Sequence, residues 1–186
     1  RQDFFIGANL TIYFSRQQLK NRDFRGPDFF LIKNTEKRPR RSWVVWEEDG
    51  KYPDLIIELL SSTTATIDRT LKRELYQNRF RTPEYFWFSP ETLEFAGLKL
   101  VNQHYEAIPA TDQGLLWSKA LNLYLGIYNG QLRYFTPDGK LVLTPEEDAI
   151  HAQQAALEAQ QAALEAQQRA DRLTAQLRSL GIEPNL

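Results

Sequence analysis

The sequence predicts an α/β or α+β domain, its sheet extended by β-hairpins, followed by a long C-terminal helix. Three observations carry this expectation. Short β-branched and aromatic runs separated by turn signals fill residues 1–143. One stretch inside them, Asp68–Phe80, has helical spacing instead. Beyond Thr144 the composition changes to Ala, Gln, Glu and Leu in a seven-residue repeat. All eleven Phe and all four Trp precede residue 144, so the core is expected there. The chain therefore divides into a sheet domain, 1–143, and a helical tail, 144–186.

In chain order, strands are expected at Phe4–Phe14, Phe29–Lys33, Trp43–Glu47, Asp54–Leu60, Tyr85–Ser89 and Leu93–Val101. Others are expected at His104–Ile108, Tyr124–Tyr128, Leu132–Phe135 and Lys140–Leu143. Asp49-Gly50 and Asp138-Gly139 read as hairpin turns, which need positive φ. Asp68–Phe80 puts Leu71 and Leu75 four apart on one helical face, opens at Asp68 as N-cap and stops before Pro83. A second, short helix is expected near Leu115, in LLWSKALN. Thr144-Pro145-Glu146-Glu147 is a helix start, with Thr as N-cap, Pro in the first position and Glu in the third.

The tail repeats AQQAALE at 152–158 and 159–165. Ala149, Ala152, Ala156, Ala159, Ala163, Ala166, Ala170, Leu173 and Leu177 alternate by three and four, which is a heptad seam. Ile150, Leu157 and Leu164 widen it on one side, and Gly181 is the expected C-terminal stop. A helix over 145–180 would be roughly 54 Å long at ~1.5 Å per residue. Either it is a solvated high-propensity rod or it packs on a second helix. The regular seam favours packing, most simply a homodimer, and alanine makes each contact close but weak.

Composition excludes several chemistries. With 23 basic and 24 acidic side chains the net charge is −1, so no global basic footprint marks a nucleic-acid binder. No cysteine is present, which removes disulfides, thiolate zinc sites, iron–sulfur clusters and cysteine nucleophiles. Two histidines, His104 and His151, are too few for a multi-histidine metal site. No apolar run approaches ~18 residues, so no membrane span is expected, and nothing suggests secretion. Without any methionine, the sequence is expected to begin inside a longer chain.

The chemistry is expected around Glu58. Pro53-Asp54-Leu55-Ile56-Ile57-Glu58-Leu59-Leu60 is apolar on both faces, as in a buried central strand. A carboxylate there is costly unless it is paired or holds a cation. Glu58 is thus either salt-bridged to a nearby arginine or a metal ligand or general base. Gly26-Pro27-Asp28 opens the strand Phe29–Ile32 in the same way that Pro53-Asp54 opens its own. Asp54 lies on the same strand and face as Glu58, but four residues at ~3.3 Å each separate their Cα atoms by roughly 13 Å. One hard cation with ligands at ~2.0–2.6 Å does not span that distance easily. Asp28, on another strand, can lie beside Glu58, and Asp28 with Glu58 is the favoured metal pair. Asp54 is left as a strand-opening or outer-shell group.

The string PDLIIELLSSTTATIDRTLKRELYQNRFRTPEYFWFSPE resembles the core of the Uma-two family, restriction-endonuclease-like proteins of the PD-(D/E)xK nuclease superfamily. The matching features are PD before an apolar strand, I-I-E-L-L-S, D-R-x-x-K-x-x-x-Y, and P-E-Y-F-W-F followed by S-P-E. R-S-W-V-V-W-E-E upstream and L-R-Y-F-x-P-D-G-K downstream extend the similarity over much of 1–143. The tail ending in L-x-x-L-G-I-E-P is similar to that of one subgroup. The resemblance implies a restriction-endonuclease-like mixed central sheet, whose first helix would precede Arg1. It implies that Asp28 and Glu58 are the two acids of the superfamily motif. The lysine usually found two residues after the second acid is Leu60 here, and Lys72 on the following helix would substitute for it. Asp54 and Tyr76 are candidate outer-shell groups.

Two further D-x-K matches, Asp49-Gly50-Lys51 and Asp138-Gly139-Lys140, read as solvent-facing turns rather than sites. Lys33, Lys37, Arg38, Arg40 and Arg41 form one basic cluster; Arg69, Lys72, Arg73, Arg79 and Arg81 form another. Of these, Arg40, Arg41, Arg69 and Arg73 are the candidate phosphate contacts. No zinc-finger spacing, RNA-binding aromatic signature or Gly-rich phosphate loop occurs. The expected function is Mg²⁺- or Mn²⁺-dependent hydrolysis of DNA phosphodiester bonds by a metal-activated water, in a cytoplasmic protein. Asp28, Glu58 and a backbone carbonyl would hold the cation, and Lys72 would orient or deprotonate the water. The hard oxygen ligands favour Mg²⁺. The alternative is a catalytically inactive nuclease-fold module that binds DNA or assembles through its helical tail.

Overall fold

A computed structural model describes residues 3–16, 26–61 and 65–181, the side chains of 65–69 excepted. Two compact units result, Arg1–Val142 and Leu143–Leu186. The first is a mixed α+β domain and the second a long helix.

The strands of the first unit are β1 (Phe4–Ala8), β2 (Ile12–Tyr13), β3 (Phe29–Lys33), β4 (Trp43–Val44), β5 (Leu55–Leu59) and β6 (Glu84–Phe88). They continue as β7 (Phe95–Val101), β8 (His104–Ala107), β9 (Leu116–Ser118), β10 (Leu123–Tyr128) and β11 (Gln131–Phe135). Helix α1 (Ala65–Glu74) runs into a π-helical turn, Leu75–Phe80. The main sheet has the order β1-β3-β5-β6-β7-β8. Within this sheet β5 and β6 pair in parallel, and α1 supplies the crossover that parallel neighbours require, while β2 and β4 form a separate parallel pair. Every other pairing in this sheet is antiparallel, so the sheet is mixed.

Side-chain alternation along β5 builds two cores. Ile56 and Glu58 face α1, where Ile56 joins Phe30, Ile32, Tyr76, Phe80 and Tyr85. Leu55 and Ile57 face the other way and pack with Phe86, Leu116 and Leu125, the last two from the three-stranded sheet β11-β10-β9. Burial on both faces explains why β5 is a nearly continuous apolar run. Gly97 permits the tight spot in this packing. A Cβ there would stand 2.4 Å from the ring of Phe86, which is fully buried.

Several sequence expectations shift. The Phe4–Phe14 run is cut at Asn9, whose φ is +49°. Trp43–Glu47 remains extended for two residues, then closes into a 3-10 turn over Val45–Glu47. Lys140–Leu143 contributes one bridge, Phe135 to Leu141. Helix α1 begins at Ala65, so Asp68 lies within it and is not its N-cap.

LLWSKALN is not a helix. Leu116 and Ser118 point inward and Trp117 outward, the period of a strand, and the segment pairs with β10. The turn after it is held by the buried carboxylate of Glu84. That group accepts hydrogen bonds from Ser118 Oγ (2.5 Å) and from the N–H groups of Lys119 (2.7 Å) and Ala120 (3.2 Å). Glu84 is thirty-four residues from Ser118, so local propensity lost to a distant partner.

Asp49-Gly50 has positive φ at both residues but follows the 3-10 turn rather than joining two strands. At Asp138-Gly139 a tight turn returns the chain from β11, with Thr136 N–H donating to Lys140 O. Lys140 pairs with Asp138 at 2.8 Å in open solvent, so this D-x-K match has no place in a buried site.

In the second unit, helix α2 (Pro145–Ser179) opens with a capping box. Thr144 Oγ1 accepts from Glu147 N–H, and Glu147 Oε2 accepts from Thr144 N–H. Gly181, with φ +75°, ends it in the left-handed conformation. None of the residues of α2 is buried, and Ile150, Leu157, Leu164 and Leu173 are exposed along it. Among the described residues, no helix is long and apolar enough to cross a membrane.

Candidate active site

Glu58 is the fourth residue of a five-residue central strand and its side chain is 1% exposed. It carries the most elaborate polar environment in the α1 core. Tyr76 Oη donates to Oε1 at 2.6 Å and Lys72 Nζ donates to Oε2 at 3.1 Å. Lys72 and Tyr76 are four residues apart, one helical turn, so a single face of the helix reaches both carboxylate oxygens. The π-helical turn that holds Tyr76 ends at Arg81, whose N–H reaches back to Tyr76 O with φ at +53°. Tyr76 is thereby fixed between Phe80 and Tyr85 with its hydroxyl on Glu58.

Asp28 arrives from the neighbouring strand. It stands just before β3, and the antiparallel β3–β5 register pairs Phe29 with Ile57. That places Asp28 at the Glu58 end of β5, where its Oδ2 accepts from Leu59 N–H at 2.7 Å. Its carboxyl is one of the groups that raise the pKa of Glu58. Asp54 does the mirror-image job. Its Oδ2 accepts from Lys33 N–H at 2.7 Å, at the opposite end of the same strand pair. Each Pro-Asp thus secures the end of the other strand, and Asp54 is a strand-end group far from Glu58 rather than part of its surroundings.

Electrostatics follow from burial. Desolvation raises the pKa of Glu58 to about 7, against the pull of the Tyr76 hydrogen bond and the Lys72 charge; the neighbouring Asp28 carboxyl adds to the rise. Burial, reinforced by the Glu58 charge, holds Tyr76 well above its ordinary value, so it stays a neutral donor.

The basic candidates separate. Arg40 is a structural clamp, and its reading as a phosphate contact is corrected. Its side chain is 3% exposed, it forks onto Glu48 at 2.6 and 2.9 Å, and its guanidinium lies against the rings of Phe5 and Trp43. The same fork holds the Glu48 carboxyl below its ordinary value. Arg41 is exposed on the adjoining loop. Arg73 is exposed on α1 and lines a groove against Tyr85 and Trp87 of β6, which sequence reasoning missed. The PEYFWF motif held a signal for it, since Tyr85 and Trp87 share a strand face. The Arg69 side chain lies outside the described residues.

The donor set suits a hard divalent cation. Two carboxyls meet at one strand end, and a group with its pKa raised to about 7 by burial is one that an added positive charge would relieve. Among the described residues, no group of three or more His, Cys, Asp or Glu converges, so Asp28 and Glu58 would be the only acidic ligands there.

The fold and the acidic pair define a class, a mixed-sheet α+β domain with carboxyls gathered at the end of its central strand. Residues 1–127 match the model of the Uma2 family, described as "Putative restriction endonuclease". The chain belongs to that family, as the Pro-Asp, I-I-E-L-L-S and D-R-x-x-K-x-x-x-Y motifs led one to expect. A solved structure described as "a putative nuclease belonging to DUF820" from Anabaena variabilis is 16% identical, with a TM-score of 0.45. The similarity covers 67% of this chain and 65% of that one. A comparison with curated proteins found no match.

Proposed function

We propose that this protein hydrolyses phosphodiester bonds in DNA at the Asp28–Glu58–Lys72 cluster, with Mg²⁺ or Mn²⁺ as cofactor and a cytoplasmic site of action. One observation carries the reading: a fully buried glutamate on the central strand, gripped by Lys72 and Tyr76 and adjoining a second acid. Family membership supports the reaction class. Asp28 and Glu58 would hold the cation, which supplies Lewis acidity at the scissile phosphate. Tyr76 fixes the orientation of Glu58 and, remaining protonated, never competes as an anion. Lys72 lowers the Glu58 pKa against the effect of burial and places an ammonium beside the site, where it offsets the charge that builds up on phosphate oxygens. Asp28 is oriented by Leu59 N–H, which leaves its second oxygen for a ligand.

Plasmid cleavage with Mg²⁺ or Mn²⁺ tests this. The intact chain should nick or linearise supercoiled DNA, and Glu58→Ala and Lys72→Met should each lose at least about a hundredfold, the scale of a general acid–base or electrostatic contribution. Activity unchanged in Glu58→Ala would overturn it. A second reading is favoured by Leu60, which stands apolar and buried where the superfamily lysine is usual. On that reading the domain binds DNA without cutting it, or serves assembly. Mg²⁺ titration by calorimetry separates these: an assembly protein has no heat of binding that depends on Asp28 and Glu58. The exposed alanine seam of α2 supports homodimer formation through that helix, which would bring two sites to one duplex.

A further inference from the structure

Beside Glu58 lies a groove that the reaction as proposed does not use. It runs between α1 and β6, has a volume of about 350 Å³ and is lined by Thr70, Arg73, Glu74, Gln77, Tyr85 and Trp87. That volume suits a nucleotide-sized group rather than a protein element. Its floor is aromatic. Tyr85 and Trp87 project from the same face of β6 with ring centroids 5.6 Å apart, and Trp87 is only partly buried. Glu94 braces the indole, accepting from Nε1 at 3.3 Å, which fixes the ring plane. The wall opposite is polar, with Arg73 exposed on α1.

Its position relates it to the acidic pair. Trp87 is the direct register partner of Glu58 across the parallel β5–β6 ladder, so the aromatic floor begins one strand away, about 4.8 Å. Lys72 and Arg73 are consecutive on α1; the first turns to Glu58 and the second into the groove. A nucleotide strand crossing from one to the other would meet a cation at each step. Base-paired DNA cannot use an aromatic floor of this kind, because its bases are stacked on one another.

We propose that the α1–β6 groove is a nucleobase pocket, in which an unpaired base of the substrate strand stacks on Trp87 with a flanking phosphate on Arg73. The substrate class is then single-stranded or locally melted DNA. This rests on the nuclease reading for its biological sense but is tested by binding alone.

The experiment uses the full chain in EDTA, fluorescein-labelled dT12 and a labelled 12-bp duplex, read by anisotropy and by tryptophan quenching. Wild type should bind dT12 at least about tenfold more tightly than the duplex, and dT12 should quench tryptophan emission. Trp87→Ala and Arg73→Ala should each weaken dT12 binding about tenfold, the scale of one stacking contact. Trp87→Phe keeps an aromatic surface. It should stay within about threefold of wild type while losing the quench, and it carries the test with Arg73→Ala should Trp87→Ala not fold. The proposal is overturned if folded Arg73→Ala and Trp87→Phe bind and quench as wild type does, or if duplex binds as tightly as dT12. A protein that cuts plasmid yet shows either result retains the nuclease reading and loses this one. A protein that cuts nothing but shows the expected binding retains this one alone.

Discussion

At the scale of single residues, Glu58 couples stability to pH. Its folded-state pKa of about 7 lies above its ordinary 4.5, so between those values the folded protein holds a proton that the unfolded chain has released. Stability contributed by the protonated form is complete below pH 4.5, is lost as pH rises towards 7, and is then flat. Over that window the loss is on the order of 3 kcal/mol. Urea unfolding in EDTA should show it, and Glu58→Gln should remove most of the slope; a slope unchanged in that variant contradicts the assignment. Lys72→Met takes away the nearest cation and should push Glu58 higher still, visible as a later midpoint in carboxyl ¹³C titration. Arg40→Ala is expected to act on stability and not on DNA. It removes the bidentate partner of the half-buried Glu48 carboxylate, leaving Arg38 alone on it, and uncovers the stacked rings of Phe5 and Trp43, at about 2 kcal/mol, with DNA affinity of the folded fraction unchanged. Sequence reasoning singled out Glu58 because a carboxylate in an apolar strand is conspicuous. It misread Arg40 because a clamped and a solvated arginine look alike until their partners are known.

At the scale of elements, strand identity was legible wherever alternation was strong, and it was misread where a distant group intervened. LLWSKALN has respectable helical composition, yet Glu84 holds its end as a turn and β10 holds its start as a strand. The π-helical turn after α1 is invisible in composition. It matters because it seats Tyr76 and Phe80 together in the core while Lys72 keeps its reach to Glu58. Gly97 makes a prediction for the sheet. Alanine there would collide with the Phe86 ring at 2.4 Å and approach Leu116 at 3.2 Å, and neither neighbour has free space. Gly97→Ala should therefore cost about 2 kcal/mol by overpacking, measured as a lowered thermal midpoint. An unchanged midpoint would mean that Phe86 can swing aside.

At the scale of the whole molecule, the two units obey different rules, and truncation should separate them. Residues 1–142 hold every buried side chain of both cores, so that fragment should fold with an unchanged urea midpoint. If α2 is the dimer element, the fragment should sediment as a monomer and the intact chain as a dimer; equal behaviour would assign the seam another role. The sequence by itself determined α2, because a capping box, a high-propensity repeat and a terminal glycine are all local and act within a few residues. It also marked most of the strands by their β-branched and aromatic runs, though not β9, which a distant partner decided. Strand spacing alone set Asp54 aside, but only the tertiary structure decided how Asp28 reaches the Glu58 end of β5. Pro27-Asp28 and Pro53-Asp54 are the same local signal, and both aspartates end up accepting a strand-end N–H. The antiparallel direction of β3 against β5 brings Asp28 to the Glu58 end and sends Asp54 to the other. That outcome depends on pairing between segments 31 residues apart, which no local spacing encodes.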